Sequence, residues 1–307
     1  NIYNININFK KNKFLRTIFL IYNFLFLKSP FNSNIVIFSG SYSIFSIRNF
    51  KKSKKIAYLH CLPKHIYHNK NSNLLYKFFF SIYSFAFKKI YENSLKKTDM
   101  IFCNSEFTKK NLLKNININI KKIKIVYPPI DFKKFKKNQI KLNDYFLVNS
   151  RHEEDKNIDL IIQSFINQKY KLYISSSGSL TNKLKKISEK YKNVFFLGNL
   201  EEDKYIDVLK NSRGSIQLAR HEDFGMALTE SLACGKMVFC LKSGGLTEYL
   251  EDQKNCFFID PKNIIHDLSV KIDNSSDLLS KNVDFCHESV KKFSKKEFIN
   301  AFNDEYN

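Results

Sequence analysis

The chain of 307 residues is 43% hydrophobic and 15% aromatic, with only eight glycines and five prolines. That composition excludes collagen-like and wholly disordered classes and leaves room for about two domains, each with its own core. The 51 lysines and arginines against 29 acidic residues give a formal charge of +22, but only five of the basic residues are arginine and the lysines are spread along the chain. Base reading and stacking favour arginine, so the charge is read as a solvated lysine-rich surface and no nucleic-acid partner is expected.

From the amino terminus, the longest apolar run, 17–27, is interrupted by Asn23 and falls short of the ~20 residues that span a bilayer. The chain opens at Asn1 without a methionine and without the ordered parts of a secretory signal, so a fragment, cytoplasmic or peripheral at the inner face of the cytoplasmic membrane, is expected. The cysteines at 61, 103, 234, 240, 256 and 286 form no C-x-x-C pair and have no zinc-type histidine spacing. Reduced thiols and no metal site follow.

Apolar, β-branched runs bounded by turn residues predict strands at 35–39, 55–60, 100–103, 124–127, 145–150, 171–175, 194–197, 214–218 and 237–241. Lysine-rich amphipathic stretches lie between most of them, which is the α/β pattern of parallel sheets. The stretch 74–91 mixes aromatics with lysines, as an interfacial helix on anionic lipid would, and equally as a buried domain helix would. Tyr127-Pro128-Pro129-Ile130-Asp131 stops one αβ series. The boundary is therefore placed near 139, giving units 1–138 and 139–290. A terminal helical segment, 291–307, is left able to dock on either.

Five of the eight glycines fall within 214–245, which makes that stretch the first place to look for a site, since glycine serves where backbone must turn with positive φ or approach a ligand closely. It reads as a strand, a loop at 222–225, a helix over 227–234 stopped by Gly235, and another strand. The exposed amides and dipole at the start of such a helix attract phosphate, and Glu222 and Glu230 would border one pocket.

The run His221-Glu222-Asp223-Phe224-Gly225-Met226-Ala227-Leu228-Thr229-Glu230, continued by Ser-Leu-Ala-Cys-Gly235-Lys-Met-Val and by Gly244-Gly245-Leu246-Thr247-Glu248, resembles the E-x-F-G-x-x-x-x-E-A-x-A-x-G-x-P-V signature of retaining GT-B glycosyltransferases of family 4. Lys236-Met237 stands where that family often has x-Pro. Asn149-Ser150-Arg151, followed by Lys156 and Leu160-Ile161-Ile162-Gln163-Ser164-Phe165, is similar to its G-R-x-x-x-x-K-x-x-x-x-L-I-x-A-F stretch. Asn104-Ser105-Glu106-Phe107-Thr108 and the Tyr-Pro-Pro-Ile-Asp segment resemble the pieces that close its amino-terminal domain, with Asn104 or Ser105 capping a helix. Tyr58-Leu59-His60-Cys61-Leu62-Pro63-Lys64 resembles the Y-x-H-x-P-x-R stretch of mannosyltransferases of O-antigen and exopolysaccharide assembly. The loop after the second carboxy-terminal strand keeps one glycine, Gly178, of the family's G-x-G-P.

The resemblance implies a GT-B fold, two Rossmann-like domains facing a cleft, with the amino-terminal domain incomplete because the family's first strand has no counterpart here. It implies a metal-independent, retaining hexosyltransferase without a cofactor, moving mannose from GDP-mannose to a saccharide or lipid-linked acceptor in polysaccharide biosynthesis. A UDP-sugar donor, or a non-catalytic scaffold on an anionic membrane surface, is the alternative. Arg151 and Lys156 would hold the donor diphosphate, Glu230 the ribose hydroxyls and Gly178 the nucleotide. Glu222, with the amides of Phe224, Gly225 and Met226, would position the sugar beside His60, and Glu222 is not a nucleophile.

Overall fold

A computed structural model describes residues 13–26, 33–67, 74–137 and 143–304, the side chains of 13–18, 64–65 and 74–83 lying outside that description. The chain divides into two compact units, Asn1–Val126 and Tyr127–Asn307.

The first unit runs α1 (Lys13–Phe26), β1 (Ile35–Ser39), a 3₁₀ turn (Ser43–Asn49), β2 (Lys54–Leu59), α2 (Lys64–Tyr67), α3 (Leu74–Lys96), β3 (Met100–Cys103), α4 (Glu106–Asn115) and β4 (Ile123–Ile125). Its four strands form a parallel sheet in the order β1-β2-β3-β4. The two central strands, β2 and β3, are largely buried on both faces, which is why they read as apolar runs and not as alternating ones. The core gathers Phe45, Phe87, Tyr91, Leu95, Ile101 and Leu112. α4 starts where Ser105 Oγ accepts the Thr108 amide at 3.0 Å.

α3 answers the ambiguous aromatic stretch from residue 84 onward, the side chains before it lying outside the described residues. Phe87, Tyr91 and Leu95, four apart, are buried, while Phe85, Lys88 and Lys89 face outward. Among the described residues no helix is long and apolar enough to cross a membrane.

The second unit contains β5 (Tyr145–Asn149), α5 (Ile158–Ser164), β6 (Lys171–Ser175), α6 (Thr181–Ser188), β7 (Val194–Gly198), α7 (Glu202–Asn211), β8 (Ser215–Gln217), α8 (Met226–Ala233), β9 (Val238–Leu241), β10 (Cys256–Ile259), α9 (Ile264–Asn274), α10 (Ser276–Lys281), α11 (Val283–Ser289) and α12 (Lys295–Asp304). The six strands are parallel in the order β10-β9-β8-β5-β6-β7. The chain therefore builds outward from β5 in one direction and then from β8 in the other, a doubly wound sheet whose strand order reverses between β5 and β8.

The division between units falls before the two prolines and not near 139. The reason is long-range pairing: the Ile130 amide donates to the Phe293 carbonyl at 2.7 Å, and the Tyr127 ring lies 5.0 Å from that of Phe293. Phe293, 1% exposed, is part of the second core, and Lys295 Nζ meets Asp131 Oδ2 at 2.5 Å, so the carboxy-terminal segment is tied to this unit. All six cysteines are free thiols and five are buried.

Candidate active site

In doubly wound sheets ligands bind beyond the strand carboxyl ends at the point where strand order reverses. Here that point is flanked by two loops. One follows β5 and carries Arg151 and Lys156; the other follows β8 and carries Glu222 and Gly225. The two are stitched together: Asn157 Nδ2 donates to the Leu218 carbonyl at 2.7 Å and the Arg220 amide to the Asp155 carbonyl at 3.0 Å. Asn157, at φ 51°, tolerates the left-handed conformation from which α5 starts.

Lys156 is 9% exposed, and its Nζ lies 3.0 Å from Glu222 Oε2, so the two predicted residues form one partly desolvated ion pair. The Glu222 carbonyl accepts the Gly245 amide at 2.9 Å, which fixes the loop against the Gly-Gly turn. Arg151 is exposed on the same strand end, and among the described residues no carboxylate pairs with it.

Gly225 initiates α8 at φ 85°, and a Cβ there would lie 2.5 Å from Leu246 Cδ2. A side chain is thus barred by conformation and by space. Phe224 is core: its ring packs on Tyr249 and Phe293 at 5.7 and 5.0 Å, and Tyr249 Oη donates to its carbonyl at 2.6 Å. Any ligand contact from Phe224 is therefore through its backbone. Met226, 39% exposed, begins the helix, where the first amides have no intrahelical acceptor.

Glu230, on α8, accepts a hydrogen bond from the buried Tyr205 hydroxyl at 2.8 Å. Burial pushes its carboxyl above the usual range while the Tyr205 bond pulls it back, and the same burial drives the Tyr205 phenol well up. Gly178 sits where a Cβ would be 2.6 Å from the His152 carbonyl oxygen, and its amide donates to Thr181 Oγ1, which also lies 2.9 Å from His152 Nδ1. The glycine thus lets the β6–α6 loop close onto the β5 end.

His60 belongs to the first unit, just beyond β2. Its Nε2 is 3.1 Å from Ser39 Oγ, its ring stands edge-on to Tyr58, and burial holds its pKa below the ordinary histidine value, which favours a neutral imidazole.

Residues 130–296, more than half of the chain, match the family model described as glycosyl transferases group 1, and residues 4–134 match that of glycosyltransferase family 4. The chain belongs to the group 1 glycosyl transferases. The chain is 25% identical over 185 residues to a probable sucrose-phosphate synthase of Thermosipho melanesiensis, covering 56% of this chain and 41% of that protein. It is also 25% identical over 203 residues to an uncharacterized glycosyltransferase of Methanocaldococcus jannaschii, covering 65% and 55%. The chain spans about half the length of these curated relatives.

Among solved structures it resembles the sucrose-phosphate synthase of Thermosynechococcus elongatus (TM-score 0.78, 12% identity, 98% of this chain and 79% of that one). It also resembles a mutant of S. aureus TarM solved with UDP (0.74, 17%, 95% and 59%) and Anabaena HepE in complex with UDP and glucose (0.70, 13%, 88% and 76%). The fold is that of these GT-B proteins, two Rossmann-like domains with parallel sheets, as expected from the sequence.

Of the predicted residues in the second unit of this group 1 chain, Lys156 and Glu222 are in contact and Arg151 and Gly225 stand at the same strand ends. Sequence reasoning missed Tyr205 and Tyr249, the phenols that hold Glu230 and the Phe224 carbonyl. Tyr249 directly follows the Gly-Gly-Leu-Thr-Glu run, a signal that was available; Tyr205 sits in an ordinary amphipathic helix and gave none.

Proposed function

We propose that the chain is a metal-independent, retaining hexosyltransferase whose second unit binds a nucleoside diphosphate sugar. The observation that carries this reading is the convergence of the Lys156–Glu222 pair and Arg151 on the end of the sheet where strand order reverses. Arg151 and Lys156 offer a planar fork and a point charge to the diphosphate, and stabilise the charge that grows on it as the bond from the sugar anomeric carbon to phosphate oxygen breaks. The acceptor hydroxyl attacks from the side the diphosphate leaves and passes its proton to the departing phosphate oxygen. Glu222, engaged by Lys156, orients the sugar together with the amides of Phe224, Gly225 and Met226. Gly178 allows the β6–α6 loop close to the nucleotide, and Glu230 accepts the ribose hydroxyls.

The stretch around His60 favours GDP-mannose as donor and a saccharide or lipid-linked saccharide as acceptor. A UDP-hexose is the second reading, favoured by the UDP held in TarM and HepE and by the sucrose-phosphate synthases. Nucleotide release measured with GDP-mannose, UDP-glucose and UDP-N-acetylglucosamine, each with EDTA, tests both: release from one donor is expected, undiminished by the chelator. Release from none of them would sink the reading.

Glu230 must be ionised to accept from ribose, so affinity for the nucleotide is expected to fall as pH drops through its raised pKa. Tyr205→Phe removes the bond that favours the ionised form, and the pH at which affinity is lost should move upward. Titration calorimetry across pH checks this; an unmoved profile would assign Tyr205 a packing role only.

A further inference from the structure

Lysine is abundant throughout the chain, but acid is not. Residues 1–126 carry 23 lysines and arginines against three acidic residues, Glu92, Asp99 and Glu106, whereas residues 127–307 carry 28 against 26. Codon bias toward lysine would act on both units alike, so it does not explain why one of them lacks acids. Nearly the whole net charge of +22 therefore belongs to the first unit. Such a field selects an anionic partner.

The same unit exposes an apolar surface. Between α1 and α3 lies a groove of about 280 Å³ lined by Ile21, Leu25, Phe45, Ala86, Phe87 and Ile90. Large side chains stand out from the two helices: Tyr22, Phe26 and Phe85 are 60, 67 and 70% exposed. Lys88 and Lys89 follow Phe85 by three and four positions and so flank it on α3, both lysines exposed and the Lys88 Nζ 3.8 Å from Glu92 and over the Tyr67 ring. Arg48, exposed, ends the 3₁₀ turn that supplies Phe45, and the neighbouring Asn49 side chain reaches the Leu25 carbonyl at 3.4 Å, which brings this basic turn to the end of α1.

Aromatic and aliphatic groups at the rim of a lysine-rich face are what a helix pair resting at the headgroup boundary requires. A polynucleotide would instead be met by several arginine forks, whereas the described residues of this face offer mainly lysines, with Arg48, beside an apolar groove closed on one side by buried Phe45 and Phe87. We propose that the α1/α3 face of the first unit docks on a bilayer bearing anionic lipid headgroups. The proposal rests on the charge and surface of this unit alone and does not depend on the donor reading.

The test is co-sedimentation of the full chain with vesicles of phosphatidylcholine alone and of phosphatidylcholine with phosphatidylglycerol, at low and high salt. Binding to the anionic vesicles only, weakened by salt, is expected. The pair Lys88→Glu and Lys89→Glu should weaken it by about tenfold or more, and Phe85→Ser with Tyr22→Ser should weaken it at either salt concentration. Both exposed-site variants are accompanied by thermal denaturation, and the charge variant keeps the question open to refutation if the aromatic one unfolds. Equal binding to both vesicle types, no binding to either, or unchanged binding by the charge variant would overturn the proposal. So would tight binding to duplex RNA that survives the aromatic substitutions while vesicles are ignored, which would make the partner a polyanion.

Discussion

Replacing Arg151 with alanine is expected to weaken binding of a nucleoside diphosphate by about 10–100-fold, the loss of one or two charge-assisted hydrogen bonds worth roughly 1.5–3 kcal/mol. The same change should leave the unliganded protein's Tm within about 2 °C, because surface substitutions away from packed or paired groups rarely matter more. Arg151 is exposed, and among the described residues it pairs with no carboxylate. The loss should be specific to the phosphates: affinity for the nucleoside monophosphate should fall less than affinity for the diphosphate. Calorimetric titration of both ligands into wild type and variant decides it. An equal loss for both would place Arg151 away from the diphosphate.

Glu222→Gln is expected to cost both transfer and stability, and the two can be separated. Lys156 is 9% exposed and its Nζ has Glu222 Oε2 at 3.0 Å, so the variant leaves a largely buried cation without its carboxylate. Breaking such a pair one-sidedly destabilises by up to roughly 3–5 kcal/mol when burial is complete, and by less here because the Glu222 side chain is 20% exposed. Transfer should fall about 10²–10³-fold, the range typical of losing one positioned charge. The double variant Lys156→Met, Glu222→Gln removes both charges. It should recover most of the stability and none of the activity, which denaturation midpoints and initial rates together would show. If it recovers activity as well, the pair holds the fold and takes no part in transfer.

Much of the fold was legible because parallel strands, covered on both faces, must be apolar along their length: eight of the nine predicted runs differ from β1–β9 by no more than a residue at either end, the exception being 124–127, which the structure ends at Ile125. β10, Cys256–Ile259, was not among the predicted runs. The domain boundary was misplaced. Prolines mark where local structure stops, but the side a segment belongs to is decided by distant partners, here Phe293 against Tyr127 and Ile130. In the candidate site, the clustered glycines pointed to Glu222 and Gly225 and the family resemblance to Arg151 and Lys156, and the structure sets all four in the loops that follow β5 and β8. Tyr205 was not, because only tertiary packing turns one tyrosine of an amphipathic helix toward Glu230. The uneven charge was present in the sequence throughout. It becomes visible only when acids are counted within each unit and not basic residues along the whole chain.

The central claim, that the reversal of strand order between β5 and β8 holds a sugar nucleotide through its diphosphate, is tested most directly by thermal stabilisation of the wild-type chain with GDP, UDP and ADP, each with magnesium and with EDTA. One of the uridine or guanosine diphosphates is expected to raise Tm by a few degrees, as saturating ligand adds about 2.7 kcal/mol at a hundredfold excess over Kd, with the same shift in both conditions and one reduced to about half or less in Arg151→Ala at equal concentration. The absence of a shift with every nucleotide, or a shift that survives in Arg151→Ala undiminished, would contradict it.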